Sequence, residues 1–92
     1  MPYNFPKIKF ADTNTLEQQL DHVRSEHFEV WKAYMNDEIG HLVEELLDLQ
    51  QSCDTALRVI ARLYPALDMV EAKKAMIQKN VDRGYCDASE IG

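Results

Sequence analysis

Two pairs of acidic residues stand three positions apart in the sequence: Glu26 with Glu29, and Glu45 with Asp48. On an α-helix, residues at this spacing share one surface, so each pair presents two carboxylates in the same direction. If the two helices pack together the carboxylates converge, and converging carboxylates require a cation. Their hard oxygen ligands suit Mg²⁺ or Mn²⁺, and Mg²⁺ usually keeps several waters and binds substrate phosphates. The spacing therefore points to a metal site for phosphate chemistry.

The same spacing is also typical of the solvated face of an amphipathic helix. At about 100° per residue, Glu26 and Glu45 border the apolar stripes of their helices, which predicts that both are half-buried. Glu29 and Asp48 lie about 60° further round, toward solvent or a cleft. This placement suits a metal site with an open side, but spacing alone does not separate such a site from a solvated face.

Apolar periodicity and helix-end signals predict three main helices and therefore an all-α fold. The first helix runs over about residues 15 to 34, with Asn14 as its N-cap and Glu17 three positions further on. Its apolar positions recur at intervals of three and four residues. No segment of the chain has the alternating pattern that is typical of a strand.

The second and third helices are bounded by clear start and stop signals. The second follows a break at residues 35–37 and is stopped by Pro65. The third begins after an N-cap at Asp68 and ends near Gly84. The helices therefore form one domain, residues 14–85, which leaves an N-terminal extension of residues 1–13 and a C-terminal tail of residues 86–92.

The length and apolar width of the second helix predict a homodimer. At roughly 26 residues the helix is nearly 40 Å long, which exceeds what a small domain needs for its own core. Its apolar stripe is also wider than two neighbouring helices would cover. The favoured architecture is therefore a four-helix-bundle core shared by two chains, with a dimer of dimers and a monomeric three-helix bundle as the alternatives.

The composition restricts the partners and the compartment. The 92-residue chain has 46% hydrophobic residues, which is typical of a folded domain. Its formal net charge of −6 disfavours binding to nucleic acid or to an anionic membrane, because both are polyanions. Cys53 and Cys86 do not have the spacing of a zinc site or a disulfide framework. With no segment typical of a signal peptide or a membrane span, we expect a cytoplasmic protein.

A third segment follows the two acidic pairs, Lys79-Asn80-Val81-Asp82-Arg83-Gly84-Tyr85, at the predicted end of the third helix. Together the three segments, in this order, resemble the MazG-like branch of the all-α nucleoside triphosphate pyrophosphohydrolases. That family has Glu-Glu-x-x-Glu, then Glu-x-x-Asp, then a C-terminal segment with Lys, Asn and Arg. The resemblance covers roughly residues 15 to 85, and it rests on the order and helix placement of the motifs.

The resemblance implies hydrolysis of a nucleoside triphosphate to the monophosphate and pyrophosphate, with Mg²⁺ as the cofactor and Mn²⁺ as an alternative ion. It also implies that the four acids of the two pairs bind the metal and carry out catalysis: Glu26, Glu29, Glu45 and Asp48. Binding of the substrate is implied for three residues of the C-terminal segment: Lys79, Asn80 and Arg83.

One departure from the family pattern keeps other functions open. Ser25 stands where the family has its first glutamate, although Glu26 and Glu29 keep the required spacing. A non-catalytic, dimeric helical interaction module is therefore one alternative. An enzyme similar to phosphoribosyl-ATP pyrophosphohydrolase, which has the same all-α architecture, is another, but the segment from Lys79 to Tyr85 favours the MazG-like branch.

Overall fold

Helices are the only regular secondary structure in residues 3–87, the part of the chain that the computed structural model describes. Their bounds are α1 (Phe10–Thr13), α2 (Leu16–Met35), α3 (Ile39–Leu63) and α4 (Met69–Asp82). The predicted all-α class is confirmed, and α2, α3 and α4 are the three predicted helices. Within these residues, no helix combines the length and the apolar character that crossing a bilayer requires.

The start of α2 lies one residue later than the sequence predicts. Thr15, and not Asn14, is the N-cap: its hydroxyl accepts a hydrogen bond from the backbone N–H of Gln18, and the Gln18 side chain accepts one from the backbone N–H of Thr15. This reciprocal pair is a capping box. Asn14 instead ends α1 and donates from its side-chain amide to Gln19 Oε1 at 2.9 Å. The predicted cap is wrong because the Thr15 hydroxyl caps α2 and the Asn14 side chain bonds to Gln19 instead.

An antiparallel pair of long helices, α2 and α3, is the scaffold of the molecule. A short turn joins them, in which Asp37 has a positive φ of 57°, a conformation that Asp adopts more readily than most residues. At the far end of the pair, Gln19 Nε2 donates to the carbonyl oxygen of Ser52 at 3.0 Å and lies 3.2 Å from its hydroxyl oxygen. The two predicted acidic pairs therefore come from neighbouring helices that run in opposite directions.

Gln19 is the buried polar side chain that ties this end of the helix pair together. It is 2% exposed, and its bonds reach Ser52 on α3 and Asn14 before α2. Gln19→Leu should lower the free energy of unfolding by about 1–3 kcal/mol, because buried polar partners lose their hydrogen bonds. Urea denaturation measures the change. The exposed Gln50→Leu is the control, with an expected change within about 0.5 kcal/mol, and equal losses in both variants would contradict this role.

The N-terminal strap, residues 3–13, packs along the second half of α3. Its short helix α1 is not predicted from the sequence, because four residues are too few to establish a helical periodicity. Three side chains of α3 bond to the strap backbone: Asp54 accepts from Asn4 N–H (2.7 Å), Arg58 donates to the Phe5 carbonyl (3.0 Å) and Arg62 donates to the Ala11 carbonyl (2.8 Å). The strap is therefore held in place by tertiary contacts.

The ends of α4 agree with the sequence. Asp68 accepts a hydrogen bond from the backbone N–H of Glu71 at 3.0 Å and caps the helix. At the other end, Gly84 has a φ of +78°, and its N–H and that of Tyr85 bond to carbonyl oxygens of the last helical turn. This arrangement is a Schellman motif. No residue of α4 is buried, so the apolar side chains of this helix are not fully covered by the rest of the single chain.

The apolar core of a single chain is small. Within residues 3–87, the buried apolar side chains are Ala11, Ala33, Ala56 and Val59. Many large apolar side chains are instead exposed, among them Phe28, Trp31, Tyr34, Met35 and Ile39 around the end of the helix pair where α2 turns into α3. An exposed apolar surface of this extent is typical of a protein that associates with another chain.

Candidate metal site

Three of the four predicted acidic ligands meet at the interface of α2 and α3. One carboxylate oxygen each from Glu26, Glu45 and Asp48 lies within 4.8 Å of the other two. Glu26 comes from α2, and the other two residues stand three positions apart on one surface of α3. The antiparallel packing of the two helices thus brings two segments of distant sequence to one point.

Burial and mutual repulsion act on this acidic cluster of Glu26, Glu45 and Asp48. The side chains of Glu26 and Glu45 are 19% and 13% exposed, as predicted, and Asp48 is exposed. The pKa of Glu26 is raised above its usual range, chiefly because burial disfavours the charged carboxylate. The neighbouring His22 opposes this shift, while the charges of Asp48, Glu45 and Glu29 add to it. A bound cation would relieve both costs.

Two histidines contact the buried glutamates of the cluster. His22 Nε2 lies 3.3 Å from Glu26 Oε1, and His41 Nε2 lies 3.3 Å from Glu45 Oε1. Outer groups of this kind orient carboxylate ligands in metal sites. Neither histidine is predicted from the sequence as part of a site. The available signal is that each stands four positions before its glutamate, the spacing of neighbours on one helical surface.

Glu29 and Ser25 flank the cluster on α2. Glu29 is half-buried and does not belong to the group of three, although its charge contributes to the raised pKa of Glu26. Ser25 is exposed, and its hydroxyl donates to the backbone carbonyl of His22 at 3.0 Å. Ser25 therefore contributes no carboxylate to the cluster, and its hydroxyl bonds within its own helix.

A cleft of about 190 Å³ opens beside the cluster. Glu26 and Asp48 form part of its lining, so two of the three converging carboxylates are accessible from it. The strap contributes Ile8 and Phe10, and α3 continues the lining as far as Thr55. The site is thus open on one side, which leaves room for water or for a phosphate group to complete the coordination of a metal.

The predicted substrate-binding residues do not line this cleft. Lys79 and Arg83 are exposed at the end of α4, and the Asn80 amide donates to Met76 Sδ at 3.3 Å within the same helix. The lining of the cleft comes from the strap, α2 and α3, and none of it comes from the described residues of α4. One chain by itself does not bring these three residues to the cleft.

Known proteins do not assign the chain to a family. Neither protein-family models, nor curated proteins, nor solved structures include a significant match. What the structure itself offers toward a function is the geometry of the acidic cluster and the open cleft beside it.

Glu26→Gln is expected to raise the Tm of the metal-free protein at neutral pH. The unfolded chain has the ordinary glutamate pKa and the folded chain a higher one, so the folded chain binds more protons between the two values. Its free energy of unfolding therefore falls as the pH rises through that interval, and glutamine removes this loss. Thermal denaturation in EDTA should show a higher Tm for Glu26→Gln than for the wild type at neutral pH. This difference should disappear below the ordinary pKa of glutamate.

Added Mn²⁺ should make the Tm of the wild type higher than the Tm of Glu26→Gln. A ligand that binds the folded state raises its stability by mass action, so the Tm of the wild type rises while that of Glu26→Gln changes much less. The control is Glu44→Gln, which removes an exposed carboxylate outside the cluster and should behave as the wild type does. If the Tm of Glu26→Gln exceeded that of the wild type equally at every pH, destabilisation by the ionised Glu26 carboxylate would be contradicted.

Proposed function

We propose that the protein is a metal-dependent nucleoside triphosphate pyrophosphohydrolase that cleaves its substrate to the monophosphate and pyrophosphate. The observation that carries this proposal is the convergence of Glu26, Glu45 and Asp48 within 4.8 Å, from two separate segments of sequence. The order of these segments and of the segment that follows them supports it, because it resembles the MazG-like pattern.

The donor set fits Mg²⁺, with Mn²⁺ as the alternative. Three carboxylates supply hard oxygen ligands only, and no histidine or cysteine belongs to the group formed by the described residues. Mg²⁺ is typically bound by one or two carboxylates together with waters and substrate phosphates, so a site open to a cleft is appropriate for it. Glu26, Glu45 and Asp48 would hold the ion, and His22 and His41 would orient the two glutamates.

The proposed reaction requires neither a serine nor a cysteine nucleophile. Water attacks the α-phosphorus, the bond from that phosphorus to the bridging oxygen breaks, and pyrophosphate leaves. When bound, Mg²⁺ supplies neutralisation of phosphate charge and a lower pKa for a coordinated water. We propose that Glu29, which is half-buried and whose charge acts on Glu26, accepts the proton from the attacking water or binds a further ion. The acids of the cluster would hold the ion, and phosphate oxygens would complete its coordination from the side of the cleft.

We further propose that the functional unit is a homodimer with a shared helical core. An apolar groove of about 260 Å³ is lined by Val30, Trp31, Tyr34, Leu42 and Leu46, at the end of the helix pair where α2 turns into α3. Its aromatic side chains are ordered: Trp31 Nε1 donates to His27 Nε2, and the Trp31 and Tyr34 rings pack edge to face. Exposed aromatic anchors of this kind are enriched at protein interfaces.

A dimer also explains why the predicted substrate-binding residues do not line the cleft of their own chain. Lys79, Asn80 and Arg83 stand on α4 or directly after it, and they do not line the cleft of their own chain. We propose that they reach the cleft of the partner chain, where the two cations bind phosphate oxygens. The chain has a net charge of −6, so local cations of this kind are needed near a triphosphate.

Release of pyrophosphate from a panel of nucleotides tests the function. The wild-type chain is incubated with each of the eight common dNTPs and NTPs and Mg²⁺, and pyrophosphate is detected as phosphate after addition of inorganic pyrophosphatase. We expect turnover of at least one nucleotide, and its loss in EDTA. If no nucleotide releases pyrophosphate and calorimetry detects no Mg²⁺-dependent nucleotide binding, the enzyme proposal is wrong.

A non-catalytic helical interaction module is the second candidate. The observation that favours it is the hydroxyl of Ser25, which bonds to the carbonyl of His22 where the resembling family has a carboxylate. Such a module would keep the apolar groove and the dimer but would not release pyrophosphate. Ser25→Glu separates the two candidates: a large increase in turnover over a measurable wild-type rate indicates a weakened enzyme, while inactivity of both proteins indicates a module.

A further inference from the structure

We propose that the N-terminal strap completes the substrate site, and that Phe10 on the strap and Gln51 on α3 bind the base of the nucleotide. The inference rests on the proposed function and deepens it by assigning the residues that select the base. The strap supplies the apolar part of the cleft lining through Ile8 and Phe10, and the rest of the lining consists of polar residues of α2 and α3. The substrate site would therefore include part of the N-terminal extension.

The lining of the cleft extends from the acidic cluster along α3. It begins at the cluster with Glu26 and Asp48 and continues along α3 through Gln51 to Thr55. Seven residues of helix correspond to about 10 Å between Asp48 and Thr55. Phosphates held at the cluster would thus place the sugar and base along this lining. At about 190 Å³ the cleft is smaller than pockets that enclose whole drug-sized ligands, so it fits part of a nucleotide.

Phe10 has the chemistry to stack on a base. Its side chain lines the cleft, yet the residue is 48% exposed, so the ring is accessible to a ligand. Lys9 Nζ lies over one face of that ring, 5.4 Å from its centre, so a base would stack on the other face or replace the exposed Lys9 side chain. Bases stack on aromatic side chains with little dependence on their identity, so Phe10 would contribute affinity more than selectivity.

Gln51 has the chemistry to distinguish one base from another. Its backbone carbonyl accepts from Thr55 Oγ1, but within residues 3–87 its side-chain amide has no hydrogen-bond partner. Gln19 and Ser52, which also line the cleft, already bond to each other. An amide offers both a donor and an acceptor, which matches the mixed edge of a nucleobase. A site that bonds such an edge discriminates strongly against bases that cannot reciprocate.

The strap is anchored well enough to act as a fixed wall. Asp54 is 7% exposed and accepts the Asn4 N–H at 2.7 Å, and the Arg58 guanidinium packs 4.1 Å from the centre of the Tyr3 ring. Arg62 holds the other end of the strap near Phe10 through the Ala11 carbonyl. Because the wall is ordered before the ligand arrives, stacking on Phe10 does not require ordering the segment upon binding.

Steady-state kinetics on Phe10 variants test the stacking role. With the best substrate of the wild type, Phe10→Ala should raise KM about 5- to 150-fold while kcat stays within about twofold, as expected for losing a stacked base. Inhibition by inorganic tripolyphosphate, which has no base, should not change. Phe10→Trp should restore KM. The control Tyr64→Ala removes an exposed aromatic ring directly after α3, outside both the cleft and the apolar groove, and should leave KM unchanged.

Kinetics on a Gln51 variant test the selectivity for the base of the nucleotide. Gln51→Leu should change the ratio of kcat/KM between bases by at least about tenfold, and Gln50→Leu, an exposed neighbour, should not. If the wild type is active and the Phe10 and Gln51 variants keep its KM and base ratios, the strap proposal is overturned while the enzyme proposal stands. Equal loss of nucleotide and tripolyphosphate affinity would also overturn it. A wild type that binds no nucleotide would overturn both.

Discussion

Glu45→Gln should lower kcat/KM for pyrophosphate release by about 10³-fold or more. The Glu45 side chain is 13% exposed, and one of its oxygens lies within 4.8 Å of ligand oxygens from Glu26 and Asp48. Glutamine has nearly the same shape but lacks the charge, so metal affinity falls together with the charge stabilisation that the metal gives the transition state. That stabilisation amounts to several kcal/mol, and each 1.36 kcal/mol changes the rate about tenfold.

A neighbouring glutamate provides the control for this result. Glu44 also approaches His41, at 3.6 Å from its Nδ1, but its side chain is 77% exposed and lies outside the acidic cluster. Glu44→Gln should therefore keep wild-type turnover and wild-type Mn²⁺ affinity in calorimetry. Circular dichroism should show the same helical content for both variants. Wild-type activity in Glu45→Gln, or equal loss in both variants, would contradict the assigned metal site.

Leu46→Glu should convert the proposed dimer to a monomer. Leu46 lines the apolar groove with Trp31 and Tyr34, and it is 42% exposed on a single chain, so the substitution does not place a charge in the core of that chain. In a dimer, however, the new carboxylate would be buried without a partner, which costs several kcal/mol and weakens association more than about 10²-fold. Light scattering should give the chain mass of 10.7 kDa instead of twice that value.

Activity should fall together with dimerisation, because the proposed phosphate-binding cations come from the partner chain. The control Leu67→Glu adds the same charge at an exposed leucine between α3 and α4, outside the groove, and should remain dimeric and active. A wild type that is monomeric at micromolar concentration would contradict the shared core. A monomeric but fully active Leu46→Glu would show that each chain carries a complete site.

Local signals account for the parts of the structure that agree with the sequence. The cap of α4 at Asp68 and its end at Gly84 depend on side-chain and backbone conformations within a few residues, so they can be identified without knowing the fold. The stop at Pro65 is of the same kind. The start of α2 lies one residue later than predicted because Thr15 and Gln18 form the capping box, a local pattern that the sequence also contains, while Asn14 bonds to Gln19.

Contacts between distant residues account for what the sequence did not predict. The strap is held by Asp54, Arg58 and Arg62, about 50 positions away, and neither periodicity nor composition encodes such pairs. The same holds for the wall that Phe10 adds to the cleft. By contrast, the contacts of His22 and His41 with the cluster are local to one helix, and their spacing was available in the sequence.

Helical periodicity encodes which side of each helix faces its neighbour, so the all-α class, the three long helices and the half-buried positions of Glu26 and Glu45 can be predicted from residue order. Which of the acids meet depends on how the helices pack against each other. The antiparallel register of α2 and α3 brings Glu26 to Glu45 and Asp48 and leaves Glu29 outside the cluster. Spacing specifies a direction on a helix, but distance between two helices depends on how they pack.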